Sequence, residues 1–189
     1  MEKENTKTFD FVVVKYDKAY YNFIEEIYRL HKDQKRKIFD LACGIEADDD
    51  IIDYIKSKFN KPNTFVFVAL DGDKVAATII MENICLFDNK IVRCEGHIVV
   101  CRRYWGKSSR DILNQFFKTM DREFDNSIGR YEVYVPANNF GIIKLIKDVG
   151  FKCEGTMKNR LVFENKHGKP TLYDELLFSR TNEGLEING

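Results

Sequence analysis

Residues 64–100 carry the feature that limits this chain most. Two apolar runs, 64–70 and 74–87, are separated only by Asp71-Gly72-Asp73, and a third run, 91–100, follows directly after Asp88-Asn89. Asp-Gly between strand-like runs is a strong hairpin signal, because the glycine accepts the positive φ of a tight turn. Three consecutive antiparallel strands are therefore predicted at the centre of the chain.

The flanks read as alternating elements. Residues 9–15 are β-branched and aromatic and predict a first strand. Asp17 is placed to cap a helix in which Tyr20, Phe23, Ile24, Ile27 and Leu30 recur at helical spacing. A weaker helix is predicted over 48–58, around Ile51, Ile52 and Ile55. The acidic residues 46–50 read as its solvated start, where negative charge suits the helix dipole, rather than as a metal site. Beyond the three strands, a helix is predicted over 108–124, a strand over 130–135 and a helix over 140–149, stopped by Gly150. Strands over 152–163 and 171–179 close the chain. The order is β-α-α-β-β-β-α-β-α-β-β. It forms one domain over 1–189, with a core at about 8–180 and a frayed tail over 181–189.

Composition narrows the function. Hydrophobic residues make up 44% and charged residues 32%, a globular balance. Thirty Lys and Arg face thirty Asp and Glu. That zero net charge argues against a chain built mainly to hold nucleic acid. No apolar run has membrane-spanning length, and the charged N-terminal residues predict no signal peptide. The cysteines, Cys43, Cys85, Cys94, Cys101 and Cys153, are odd in number and contain no C-x-x-C pair, which predicts reduced thiols in the cytoplasm. His31, His97 and His167 are scattered without metal-ligand spacing, so no metal is expected.

The segment 98–112 concentrates the chemistry. A buried strand ends, a loop holding Gly106 follows, and a helix opens on Ser108 and Ser109. Helix starts expose unpaired N–H groups and a positive dipole end, which attract phosphate. Gly106 lets the backbone approach an anion, while Arg103 and Lys107 add positive charge. Ser108 or Ser109 is placed to cap the helix or to donate to a phosphate oxygen. Taken alone, the segment also reads as an ordinary strand-to-helix turn.

Arg103-x-x-Gly106-x-Ser108 resembles the acetyl-CoA pyrophosphate loop of the GNAT N-acetyltransferase superfamily, with Ser108 where the second small residue is usually Gly or Ala. Tyr104-Trp105-Gly106-Lys107 resembles the ribosomal-protein alanine N-acetyltransferase branch. A second match follows: Asn138-Asn139 after the fifth predicted strand, with Gly150-Phe151 eleven residues beyond Asn139. The resemblance covers about residues 64–180.

It implies an α/β (α+β) fold: a mixed, mostly antiparallel sheet with splayed fourth and fifth strands, flanked by about four helices. It implies acetyl-CoA as co-substrate, a primary amine as acceptor and direct attack of the amine on the thioester. The acceptor is a protein N-terminus or a small-molecule amine. Backbone groups at Val99, Val100 and Cys101, released by a bulge, would meet the pantetheine arm. Arg103, Gly106, Lys107, Ser108 and Ser109 would meet the pyrophosphate. Asn139 would touch the pantetheine arm or cap its helix, and Lys144 would approach the nucleotide or stay solvated. Glu95 aligns with the carboxylate base, and His97 lies two residues on, on the same strand face. Many members place a tyrosine acid seven residues after the Asn; Ile146 stands there, leaving Tyr134 or Cys153 as substitutes. Cys153 reads first as a small buried residue. A homodimer is compatible with this reading. The alternative is a non-catalytic GNAT-fold module that binds acyl-CoA or a partner protein.

Overall fold

A computed structural model describes residues 7–14, 21–35, 57–59, 61–88, 90–124, 128–164 and 169–181. Its strands are β1 (Asp10–Val14), β2 (Phe65–Asp71), β3 (Lys74–Phe87), β4 (Lys90–Val100), β5 (Arg130–Pro136), β6 (Lys152–Glu164) and β7 (Pro170–Thr181). Its helices among the described residues include α1 (Tyr21–Lys35), α2 (Lys107–Glu123) and α3 (Phe140–Asp148), with a 3-10 turn at Arg102–Tyr104. Asp17, Tyr20, the acidic residues 46–50 and most of the expected second helix lie outside the described residues; residues 57–59 are helical. Thr181 belongs to β7, so only 182–189 of the expected tail lie outside them. No described helix is long and apolar enough to cross a membrane.

The strands form one sheet in the order β1-β2-β3-β4-β5-β7-β6, antiparallel except for β4 beside β5. Gly72 closes the β2–β3 turn at φ 61°, the left-handed region that an Asp-Gly turn requires. Because strand side chains alternate, the sheet has two distinct faces. Val66, Val68 and Leu70 of β2 and Ile80 of β3 pack under Ile24, Ile27 and Leu30 of α1. On the other face, Phe67, Ile79, Met81, Val100 and Phe178 meet Ile112, Phe116 and Phe117 of α2 and Leu145 and Ile146 of α3. Phe116 anchors that layer through edge or tilted contacts with Phe11, Phe67 and Phe117 at 5.8, 5.3 and 5.5 Å. Burying a side chain of this size contributes about 1.5–3 kcal/mol, so α2 is held by its apolar stripe rather than by helix propensity.

β4 and β5 pair only at Cys94 with Tyr131 and at Glu95 with Glu132. Beyond these pairs β5 continues against β7 as far as Pro136, while β4 continues against β3 as far as Val100. The two strands therefore splay toward their C-terminal ends.

Candidate active site

The splay opens into a cleft of about 840 Å³ whose lining includes Val99 and Val100 of β4, Pro136 of β5, and the facing sides of α2 and α3. The amide of Cys101 donates to the Ala76 carbonyl at 2.8 Å. In an antiparallel ladder the hydrogen-bonded pairs alternate, so Val99, His97 and Glu95 also turn their backbone groups to β3. Ile98 and Val100 turn theirs toward β5, across the splay. Trp105 reaches back from the loop and donates its indole N–H to the Val100 carbonyl at 3.0 Å. No bulge interrupts β4 here: the register with β3 is continuous from Ala77↔Val100 to Glu82↔Glu95. The expected bulge is thus corrected. Divergence of the two strands exposes the backbone instead, and Ile98 rather than Cys101 presents it.

Gly106 ends the loop at φ 86°, ψ −126° and forms the N-cap of α2, with no side-chain cap hydrogen bond. A serine cap is therefore corrected as well. Ser109 is buried, and its hydroxyl donates to the Gly106 carbonyl at 2.9 Å. A Cβ on Gly106 would meet nothing within 4 Å, so the backbone is open on that side. Gly106, Lys107, Ser109 and Arg110 line the cleft, and Lys144 lines it from α3. Arg110 approaches Asp148 of α3 at 3.7 Å. The first-turn amides and dipole of α2 thus face a cleft lined by three cations and the single carboxylate of Asp148, a composition suited to a phosphate group. Asn139 caps α3, its side-chain oxygen accepting from the Ile142 amide at 3.3 Å, and it also lines the cleft.

Other sequence candidates sit elsewhere. Arg103 donates to the Val75 carbonyl at 3.3 Å and lies 4.8 Å from the Tyr104 ring centroid; it is not part of the cleft lining. Ser108 and Cys101 do not line it either. Cys153 is exposed, which corrects its reading as a buried residue.

The α1 face of the sheet carries a polar strip beside the cleft. Register sets Glu82 of β3, Glu95 of β4 and Glu132 of β5 in one row across three strands. Glu82 is 5% exposed and is met by His97 at 2.8 Å, Lys58 at 2.5 Å and Lys61 at 3.3 Å. Glu132 is met by Arg130 at 2.7 Å and Arg93 at 3.8 Å. Glu95 differs. It accepts from the Asn83 amide at 2.8 Å and makes no ion pair among the described residues. Asn83 stands at φ 50°, where the β3–β4 register shifts, and that irregularity turns it toward Glu95. Tyr134 has its phenol pKa raised, first by burial and then by Glu95 and Glu132, so the phenol holds its proton tightly. Burial pushes the Cys94 thiol up to about 12, which makes it inert. Among the described residues, no group of three or more His, Cys, Asp or Glu is arranged to hold a metal.

The His97 hydrogen bond is the largest cause holding the Glu82 carboxyl well below the usual range; burial opposes it and Lys58 assists. A carboxyl depressed in the folded state stabilises the fold fully above its unfolded pKa, near about 4.3, and loses that contribution as the pH falls further. Wild type is therefore expected to lose more stability than Glu82→Gln between pH 5 and pH 3, read as urea midpoints. Parallel losses in both chains would remove Glu82 from the acid response.

Solved structures share this fold. One is the ribosomal-protein-S5-alanine acetyltransferase of Vibrio fischeri, at a TM-score of 0.66 and 16% identity, with 93% of each chain covered. Another is the spermidine N-acetyltransferase of Vibrio cholerae in complex with CoA and spermine, at a TM-score of 0.64 and 14% identity, covering 91% of this chain and 95% of that one. An acetyltransferase of the GNAT family from Streptococcus pneumoniae matches at a TM-score of 0.62 and 14% identity, covering 91% and 99%.

The fold is the GNAT fold.

No protein-family model and no curated protein matches the sequence. At these identities the likeness concerns the GNAT architecture: the seven-stranded mixed sheet, its one parallel pair and the helices on both faces. Within it, sequence reasoning missed Trp105, Arg110 and Ile98. Helical spacing was the available signal for Arg110, three residues after Lys107.

Proposed function

We propose that this chain is an N-acetyltransferase that takes the acetyl group of acetyl-CoA and passes it to a primary amine by direct attack. The observation carrying this reading is the cleft between the splayed β4 and β5, closed at one end by the uncapped N-terminus of α2. Its parts suit a long ligand with a pyrophosphate at one end and an amide-bearing arm at the other. The amides after Gly106, with Lys107, Arg110 and Lys144, would hold the pyrophosphate. The backbone of Ile98 would pair with the arm. Bound there, the thioester supplies an activated acetyl group.

The chain's own residues would then receive the amine on the α1 face. Glu95, the carboxylate of the strip without a cation among the described residues, is suited to draw an ammonium group and accept its proton. Spermine is the amine named with one structural neighbour and a ribosomal-protein alanine with another; both amine classes are candidates for this chain.

Acetyl-CoA should raise the melting temperature. At 100 times Kd the gain is about 2.7 kcal/mol, worth roughly 5–11 °C for a chain of this size. Release of free CoA thiol against a panel of spermidine, an alanine-terminal peptide and a simple alkylamine then tests catalysis. A melting shift without thiol release would favour the non-catalytic binding module. An unmoved melting curve would remove the cofactor site altogether.

A further inference from the structure

We propose that buried Glu82 positions His97 as the carrier of the second proton of acetyl transfer, from the attacking nitrogen to the departing sulfur. This role rests on the acetyl-transfer reading above.

His97 Nε2 lies 2.8 Å from Glu82 Oε1. Lys58 Nζ, at 2.5 Å, and Lys61 Nζ, at 3.3 Å, meet the other oxygen, Oε2. A carboxylate so surrounded is an acceptor only, so the nitrogen facing it must carry a proton. That leaves Nδ1 as the nitrogen able to take and give one. The buried acid of a catalytic triad fixes its imidazole by the same logic. The His97 side chain is 35% exposed, so the ring is not sealed in the core. It projects from β4 between Glu95 and Val99, and Val99 lines the cleft. Glu82 is its neighbour on β3; Glu95 and Arg93 share its strand face, and Glu132 and Tyr134 of β5 share the same side of the sheet.

The chemistry requires such a group. An ammonium acceptor loses two protons as it becomes an amide. Glu95 takes the first. The freed lone pair then bonds to the carbonyl carbon, and the carbon–sulfur bond breaks. The second N–H proton passes to His97 Nδ1 and from there to sulfur, which leaves as the thiol. The ring ends as it began, and Glu95 returns its proton to water. Ile146 stands where the resemblance expects a tyrosine acid, and the tightly held phenol proton of Tyr134 makes it a poor source. An imidazole both accepts and donates near neutral pH.

The test uses the full chain labelled with 15N-histidine, with the His97 signals assigned by their loss in His97→Gln. In the wild type the neutral ring should carry its proton on Nε2. His97→Gln should lower kcat by roughly tenfold or more while acetyl-CoA affinity is unchanged. Glu82→Leu combined with Lys58→Met removes both buried charges together, which a fold tolerates better than removing one. That double variant should mix the tautomers and lower kcat, and Glu82→Gln, which keeps an acceptor oxygen, should restore part of it. A wild-type ring protonated on Nδ1, or a His97→Gln enzyme within twofold of wild type on the same amine, would overturn the role and leave acetyl transfer standing. If wild type binds acetyl-CoA but acetylates neither spermidine, the alanine-terminal peptide nor the alkylamine, the acetyl-transfer reading falls and the shuttle with it.

Discussion

Gly106→Glu is expected to abolish acetyl-CoA binding and leave a folded protein. Two effects combine at this position. The backbone stands at φ 86°, which L-residues rarely adopt, so any side chain there is strained by about 1–3 kcal/mol. A domain of ordinary stability survives that loss with a lowered melting temperature. The carboxylate is the decisive part. It would stand at the start of α2, beside the first-turn amides and in the cleft that Lys107, Arg110 and Lys144 also line, and would take the place proposed for the pyrophosphate. Gly106→Ala separates the two effects, because it carries the strain without the charge and finds no atom within 4 Å to clash with. Calorimetric titration should detect acetyl-CoA with the alanine variant and not with the glutamate variant. Tight binding by folded Gly106→Glu would place the anion site elsewhere.

Glu95→Gln is expected to lower turnover by about a hundredfold or more and leave acetyl-CoA affinity nearly intact. The amide keeps the shape and the capacity to pair with Asn83 but cannot accept a proton. Removing an acid–base group typically costs about a hundredfold to ten-thousandfold. Affinity should persist because Glu95 lies on the α1 face and is not among the residues lining the cleft. Its electrostatic setting supports the choice of residue. Glu82 is met by Lys58 and Glu132 by Arg130 within 3 Å, whereas among the described residues Glu95 is met by a neutral amide. Steady-state kinetics on whichever amine the panel identifies decides the matter. Near-normal turnover would leave positioning and the amine's own deprotonation in water as the simpler account.

The middle of the fold was legible because its signals are local. Asp71-Gly72-Asp73 announces one hairpin, and Asn139 with Gly150 brackets one helix; each acts within a few residues of itself. Glu82 was not legible. It lies within a strand of fourteen residues, most of them apolar, and its partners Lys58 and His97 are 24 and 15 positions away. Its place opposite Glu95 keeps the register of Phe87 with Lys90, because the shift at Cys85 is local, but nothing in the sequence announces that Lys58 and His97 converge on it. The serine cap failed for a related reason. Both serines suit a cap by type, but the positive φ of Gly106 sets the helix start one residue earlier and turns Ser109 inward. The parity of β4 was hidden too, since only the ladder with β3 decides that Ile98 and Val100, rather than Val99 and Cys101, present their backbone to the splay.

β4 therefore divides its labour by atom type. Its main-chain edge faces the proposed carrier of the acyl group, while Glu95 and His97 face the proposed acceptor. A peptide group is the same whatever residue owns it, so side-chain drift along this strand need not disturb the carrier. Selection could exchange acceptors by altering alternate positions and never touch the donor half of the reaction. A chain built in this way can keep its architecture while its identity to structural counterparts falls to 14–16%.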